Sequence, residues 1–194
     1  MSTLLALDIA ILPPSLVWQR AVQLSAGLGA DPAHHLILDE SHLPHITLSQ
    51  EFVRVDELDA VFERIDEALR AQPPLTLQVT GGARGGSSVW MAIEKAPLLA
   101  ELHERIMHAL VGLERPGAGP GAFFDGDARV GDVTWVSGYR LKSSFGAFTP
   151  HITLGHADEL PVVEPITFIA STIAACHLGR FCSCRAVLRS WDLA

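Results

Sequence analysis

Pro44-His45-Ile46-Thr47-Leu48 and Pro150-His151-Ile152-Thr153-Leu154 spell the same five residues, PHITL, more than a hundred positions apart. Chance produces such a repeat in only about one chain of this length in a hundred, so the two copies are read as parts of one device. In an extended strand successive side chains alternate. That puts His45 and Thr47 on one face and Ile46 and Leu48 on the other, and the second copy sorts the same way. Each copy thus presents an imidazole and a hydroxyl roughly 6–7 Å apart, backed by two aliphatic anchors. The proline ahead of each histidine suits a strand start, where its missing N–H is harmless. One copy alone is ordinary strand sequence, because Ile, Thr and Leu all suit a half-buried sheet. Two identical copies point to chemistry.

Histidine titrates near pH 6.5, so in neutral solution one of a pair can be neutral while the other is protonated. One takes a proton from water; the other gives a proton to a leaving oxygen. Hydrolysis of a phosphodiester needs both acts and donors for the phosphoryl oxygens, which the two threonine hydroxyls supply. The arrangement calls for no metal.

Working outward, residues 3–12 read as a buried strand closed by Pro13-Pro14, and residues 15–28 as a helix. Between Asp56 and Ala71 the apolar residues Leu58, Val61, Phe62, Ile65, Ala68 and Leu69 recur at helical spacing, and Pro73-Pro74 ends the run. Leu75–Thr80 and Ser88–Glu94 read as strands joined by a GGARGG turn, and Leu98–Leu113 as a second amphipathic helix. Arg115–Asp132 holds too many glycines and prolines for a regular element and reads as a long loop, a lid or a solvent-facing insertion. Val133–Leu141, the second PHITL, Ile166–His177 and Phe181–Trp191 supply further strands. The pattern is mixed α+β, without the regular strand-helix rhythm of a nucleotide-binding sheet. The string GAGPG does not match a phosphate loop, since neither lysine nor a hydroxyl residue follows it.

Composition narrows the field. The chain has 194 residues, 48% of them hydrophobic, enough for a sizeable core. Its net charge of −8 and lack of a basic block argue against wrapping long duplex nucleic acid, while leaving room for a small anion in a locally positive cleft. The apolar start MSTLLALDIAILPPS lacks a basic flank, carries Asp8 in its middle and ends in two prolines, so it reads as a strand rather than a signal peptide. No apolar run reaches membrane-spanning length. Three cysteines, Cys176, Cys182 and Cys184, make a disulfide framework improbable and suit a reducing cytoplasm. Cys182 and Cys184 read as one face of a strand with no second pair to complete a metal shell, and His34-His35 and His42-x-x-His45 lack their remaining ligands. A metal-dependent hydrolase would need carboxylates beside the histidines, which the motifs do not contain. Neither metal nor cofactor is expected.

Two H-x-T motifs in the two halves of a chain this long resemble the 2H phosphoesterase superfamily, and within it the group of 2'-5' RNA ligases and RNA 2',3'-cyclic phosphodiesterases. The resemblance implies one two-lobed domain over residues 1–194, with pseudo-twofold antiparallel sheets lining a central cleft and helices packed outside. It further implies metal-independent opening of a 2',3'-cyclic phosphate on a nucleotide or RNA end, or action on 2'-5' linkages. Separately, a monomer is expected. By the same analogy His45 is general acid, His151 general base, and Thr47 and Thr153 hold the phosphate; the acid and base roles are exchangeable on the sequence alone. A binding module that keeps the cleft without turnover is the competing reading.

The chain departs from the family in one respect. Members of the RNA-ligase branch often carry an arginine three residues after the second threonine, where this chain has His156, with Gln50 at the matching place after the first. Histidine makes a weaker, pH-dependent anion contact. His156 is a candidate to line the cleft, Phe148 to stack on a base, and Arg84, on its glycine-rich turn, to draw in the anion. Trp90 and Trp135 are further aromatic candidates, and Arg140 and Lys142 further cations.

Overall fold

The strand β1 (Leu4–Leu12) runs through the middle of the molecule and is buried on both faces. The computed structural model describes residues 3–29 and 35–194. Leu5, Leu7, Ile9 and Ile11 enter the main aliphatic core, each contributing about 1.5–3 kcal/mol by leaving water. Ala6 and Ala10 face the other way into a second core, and Asp8 shares their face by strand alternation.

Along the chain follow α1 (Ser15–Ala26), β2 (Ile46–Arg54), α2 (Leu58–Ala68), β3 (Leu75–Gly85), β4 (Ser88–Ile93), α3 (Pro97–Ala109), α4 (Val130–Lys142), β5 (His151–His156), β6 (Ile166–Ala170), β7 (Thr172–Leu178) and β8 (Cys184–Asp192). Among the described residues the strands form two four-stranded sheets, ordered β2-β1-β7-β8 and β5-β4-β3-β6. Every neighbouring pair is antiparallel. The α+β class and paired antiparallel sheets expected from the sequence are therefore present. Each PHITL leads into an edge strand, β2 of one sheet and β5 of the other, and these two edges approach each other.

Both copies end in the same irregularity. Thr47 pairs with Ala10 and Ser49 with Ile9, which leaves Leu48 as an extra residue; Thr153 pairs with Trp90 and Gly155 with Val89, which leaves Leu154. A bulge frees a backbone carbonyl from the ladder, and a buried carbonyl needs a donor. In each copy a helix supplies it. His103 of α3 donates from Nδ1 to Leu48 O at 2.7 Å, and Ser25 of α1 donates its hydroxyl to Leu154 O at 2.6 Å. The Nε2 of His103 accepts from the Phe145 N–H at 2.8 Å, so this ring works as a neutral donor-acceptor, in line with burial holding it below the ordinary histidine range. Gly155, beside the second bulge, has φ +143°, and a Cβ there would stand 2.8 Å from Leu36 O.

Ser25 also accepts from the Leu38 N–H at 2.9 Å, so Ser25→Ala strands two buried backbone groups. The expected cost is about 1–3 kcal/mol, read as a lower urea midpoint with an unchanged slope.

The structure departs from the sequence reading in several places. Val133–Leu141, expected as a strand, lies within α4: Asp132 accepts from the Arg129 N–H at 2.9 Å, starting the helix, and buried Val136 and Tyr139 stand three apart on one face. The β-branched residues favoured the strand reading, and the local capping overrides them. GGARGG is not a turn, because β3 continues to Gly85. Gly82 belongs there for closeness, since a Cβ would sit 2.9 Å from Pro161 O. Ile166–His177 is two strands broken at Ser171, β6 in one sheet and β7 in the other. Cys182 lies in a 3-10 turn, Arg180–Cys182, ahead of β8, so it does not share a strand face with Cys184. The segment 115–132 is mostly exposed but anchored: Ala122, Phe123 and Ala128 pack in one core with the small residues Ala6, Ala10 and Ala174, and His177 Nε2 donates to Ala122 O at 2.9 Å. No helix among the described residues is long and apolar enough to cross a membrane.

Candidate active site

His45 stands immediately before β2 and His151 opens β5. In both, Nδ1 meets the carbonyl of the residue before the proline: Leu43 O at 2.8 Å for His45 and Thr149 O at 2.7 Å for His151. A carbonyl only accepts, so each Nδ1 carries the hydrogen and each Nε2 is left for chemistry. The proline thus matters for its rigid backbone, which folds the preceding carbonyl under the ring. Charge on His45 is felt at His151 and, after burial, helps hold His151 below the ordinary histidine range; the Thr149 carbonyl opposes this. The two imidazoles stand at the starts of β2 and β5, the two sheet edges that approach each other.

Their surroundings differ. Nε2 of His45 lies 3.6 Å from Oδ2 of Asp8, an ion pair when the ring is protonated. The same oxygen accepts from the Thr47 hydroxyl at 2.8 Å and from Gln50 Nε2 at 2.7 Å. Asp8 is fully buried and its Oδ1 has no partner among the described residues. Burial pushes this carboxyl above the usual range, and the His45 charge and the Gln50 and Thr47 hydrogen bonds pull part of the way back. His151 instead has the ring of Trp90, centroids 5.1 Å apart, and no carboxylate or other ion-pair partner within the described residues. The Thr153 hydroxyl makes no hydrogen bond among the described residues, whereas that of Thr47 is committed to Asp8.

Sequence reasoning missed Asp8 as a site residue, using it only as evidence against a signal peptide. The signal was there: a lone carboxylate inside LLALDIAIL has to find partners once the strand is buried. Its position also corrects the expectation that no carboxylate stands near the histidines. The sulfur of Cys184 joins them, and ligand atoms of Asp8, His45 and Cys184 all lie within 4.8 Å of one another.

The other candidates lie elsewhere. Phe148 is buried and stacks on His103, rings parallel and 3.9 Å apart, so it is a core residue and not a platform for a base. Arg84 is in β3, not on a turn, and binds Asp158 O at 2.6 Å and Gly86 O at 3.0 Å. Arg140 pairs with Glu114 and Met107 O. Trp135 is exposed on α4. His156 lies five residues along β5 from His151, roughly 16 Å in an extended strand. It lines a cavity of about 620 Å³ with His35, Ser87 and Asp158, its ring 5.4 Å from that of His35. His34 lies outside the described residues.

The family model of the 2'-5' RNA ligase superfamily matches residues 13–174, a span holding both motifs. The chain belongs to that superfamily. Among solved structures, the TT0787 protein of Thermus thermophilus is similar at 19% identity and TM-score 0.61, over 97% of this chain and 98% of its own. Escherichia coli LigT in its apo form is similar at 17% identity and TM-score 0.57, over 100% and 99%. LigT with 3'-AMP is similar at 17% identity and TM-score 0.54, also over 100% and 99%. These likenesses concern the fold. A comparison with curated proteins finds no match. Membership of the 2'-5' RNA ligase superfamily supports a phosphoesterase- or ligase-like activity.

Proposed function

We propose that this superfamily member is a metal-independent phosphodiesterase that opens 2',3'-cyclic phosphates on nucleotides or RNA ends. The observation that carries the reading is the shared anchoring of two imidazoles, each with Nδ1 on a backbone carbonyl, in unlike surroundings: Nε2 of His45 faces Asp8, and His151 has no ion-pair partner among the described residues. His151, desolvated and without a carboxylate among the described residues, is the base. Its Nε2 takes a proton from water as the water oxygen bonds to phosphorus. His45, beside Asp8, is the acid: its Nε2 delivers a proton to the departing ribose oxygen as the P–O bond breaks, leaving a 2'-phosphate by analogy with the family. The free Thr153 hydroxyl donates to a phosphoryl oxygen. Thr47, tied to Asp8, works through His45 rather than on phosphate. The whole chain, residues 1–194, acts as one two-lobed unit in the cytoplasm, where its three unpaired cysteines stay reduced.

Nucleotide ligands are in keeping with the LigT complexes with 3'-AMP, ATP and NADP+. The test offers 2',3'-cyclic nucleotides to the purified protein in excess chelator, with products separated by chromatography. Turnover that survives chelation is expected. Tight binding without turnover would instead favour a ligand-binding module, and turnover only on adding metal would overturn the proposal.

A further inference from the structure

Asp8, His45 and Cys184 bring a carboxylate, an imidazole and a thiol together from three separate parts of the chain, β1, the entry to β2 and the start of β8. We infer that they form a binding site for a thiophilic divalent cation of the zinc class, whose occupancy withdraws His45 from proton transfer. Ligand atoms around a tetrahedral zinc ion stand about 3.3–3.7 Å apart. The 3.6 Å between His45 Nε2 and Asp8 Oδ2 already matches. Cys184 Sγ, within 4.8 Å of both, needs a shift of about 1 Å to complete a three-ligand face.

A second observation points the same way: the Asp8 carboxylate is fully buried and only its Oδ2 accepts hydrogen bonds among the described residues, so a cation held on both oxygens would also satisfy Oδ1. Imidazole plus thiolate disfavours magnesium and calcium, which take oxygen ligands, and suits zinc and its thiophilic neighbours. The Cys184 thiol, which lies against that of Cys176, gives up its proton to solvent on binding. Entry is past His45, whose side chain is 11% exposed while Asp8 is closed off. Inhibition rests on the phosphodiesterase reading; binding does not.

Titration of the reduced full-length protein with cobalt(II), a spectroscopic stand-in for zinc, tests the site without reference to turnover. Expected are tetrahedral visible bands and a near-ultraviolet thiolate-to-cobalt band, displaced by zinc and lost in Cys184→Ser and Cys184→Ala but kept in Cys176→Ser. X-ray absorption fine structure of the unaltered protein with zinc should show one sulfur near about 2.3 Å and lighter atoms near about 2.0–2.1 Å. A zinc shell without sulfur, or a cobalt band that survives both Cys184 variants, overturns the site. In the turnover assay zinc should abolish activity, chelator restore it, and Cys184→Ser retain it in zinc. Activity unaffected by bound zinc overturns the inhibitory role, and a cobalt band in a protein without turnover counts against the enzyme reading alone.

Discussion

His151→Ala is expected to lower turnover of a 2',3'-cyclic nucleotide by about 10²–10⁴-fold, and His45→Ala by a similar factor. On the proposed mechanism each ring carries one of two proton transfers. Because the two act in one event, the double variant should fall well short of the product of the single losses. The pH profile separates the roles. Burial, helped by the charge of His45, holds His151 below the ordinary histidine range. A base works only when unprotonated, so rate should climb with pH through a value below the ordinary histidine range. That acidic limb should vanish in His151→Ala, and the alkaline limb in His45→Ala. A profile flat from about pH 5 to 9 in the unaltered protein, or full turnover in either variant, would sink paired proton transfer.

Asp8→Asn is expected to slow the enzyme and stabilise it at once. Asparagine keeps the shape and can still accept from Thr47 and Gln50, but protonated His45 loses its carboxylate. Turnover should fall about 10- to 100-fold, less than on removing the imidazole. Stability moves the other way. Burial raises the folded carboxyl above its unfolded value, so between the two values the folded state binds more protons and stability declines as pH rises. Asparagine has no such decline, and thermal unfolding at neutral pH should come later in the variant than in the parent. A variant that unfolds earlier, with a pH dependence like the parent's, would mean that the Asp8–His45 pair contributes net stability instead.

How much of this was legible beforehand depends on the range of the interaction. Helices α1, α2 and α3 and strands β1, β3, β4 and β5 follow from apolar periods and proline stops written within a dozen residues. The reading failed at Val133–Leu141, where side-chain type favoured a strand and the Asp132 cap decided for a helix. It failed again at Ser171, where no residue type announces that one strand becomes two in different sheets. Phe148 stands out by chemical type and its place near a motif, and Arg84 by its glycine-rich surroundings. Their partners, His103 and the Asp158 carbonyl, come from distant segments.

By itself the sequence determined the α+β class and the two imidazole-hydroxyl pairs with their aliphatic backing, because strand alternation and literal repetition are local properties. Only the tertiary structure decided that the two copies are not equivalent. Asp8 reaches Thr47 and Gln50 across 39 and 42 positions and leaves Thr153 untouched, and no local period encodes a contact at that range. The same applies to Ser25 and His103, which close the two bulges from different helices. A buried carboxylate or an unpaired carbonyl selects whichever partner folding brings within reach, and that selection is made in three dimensions.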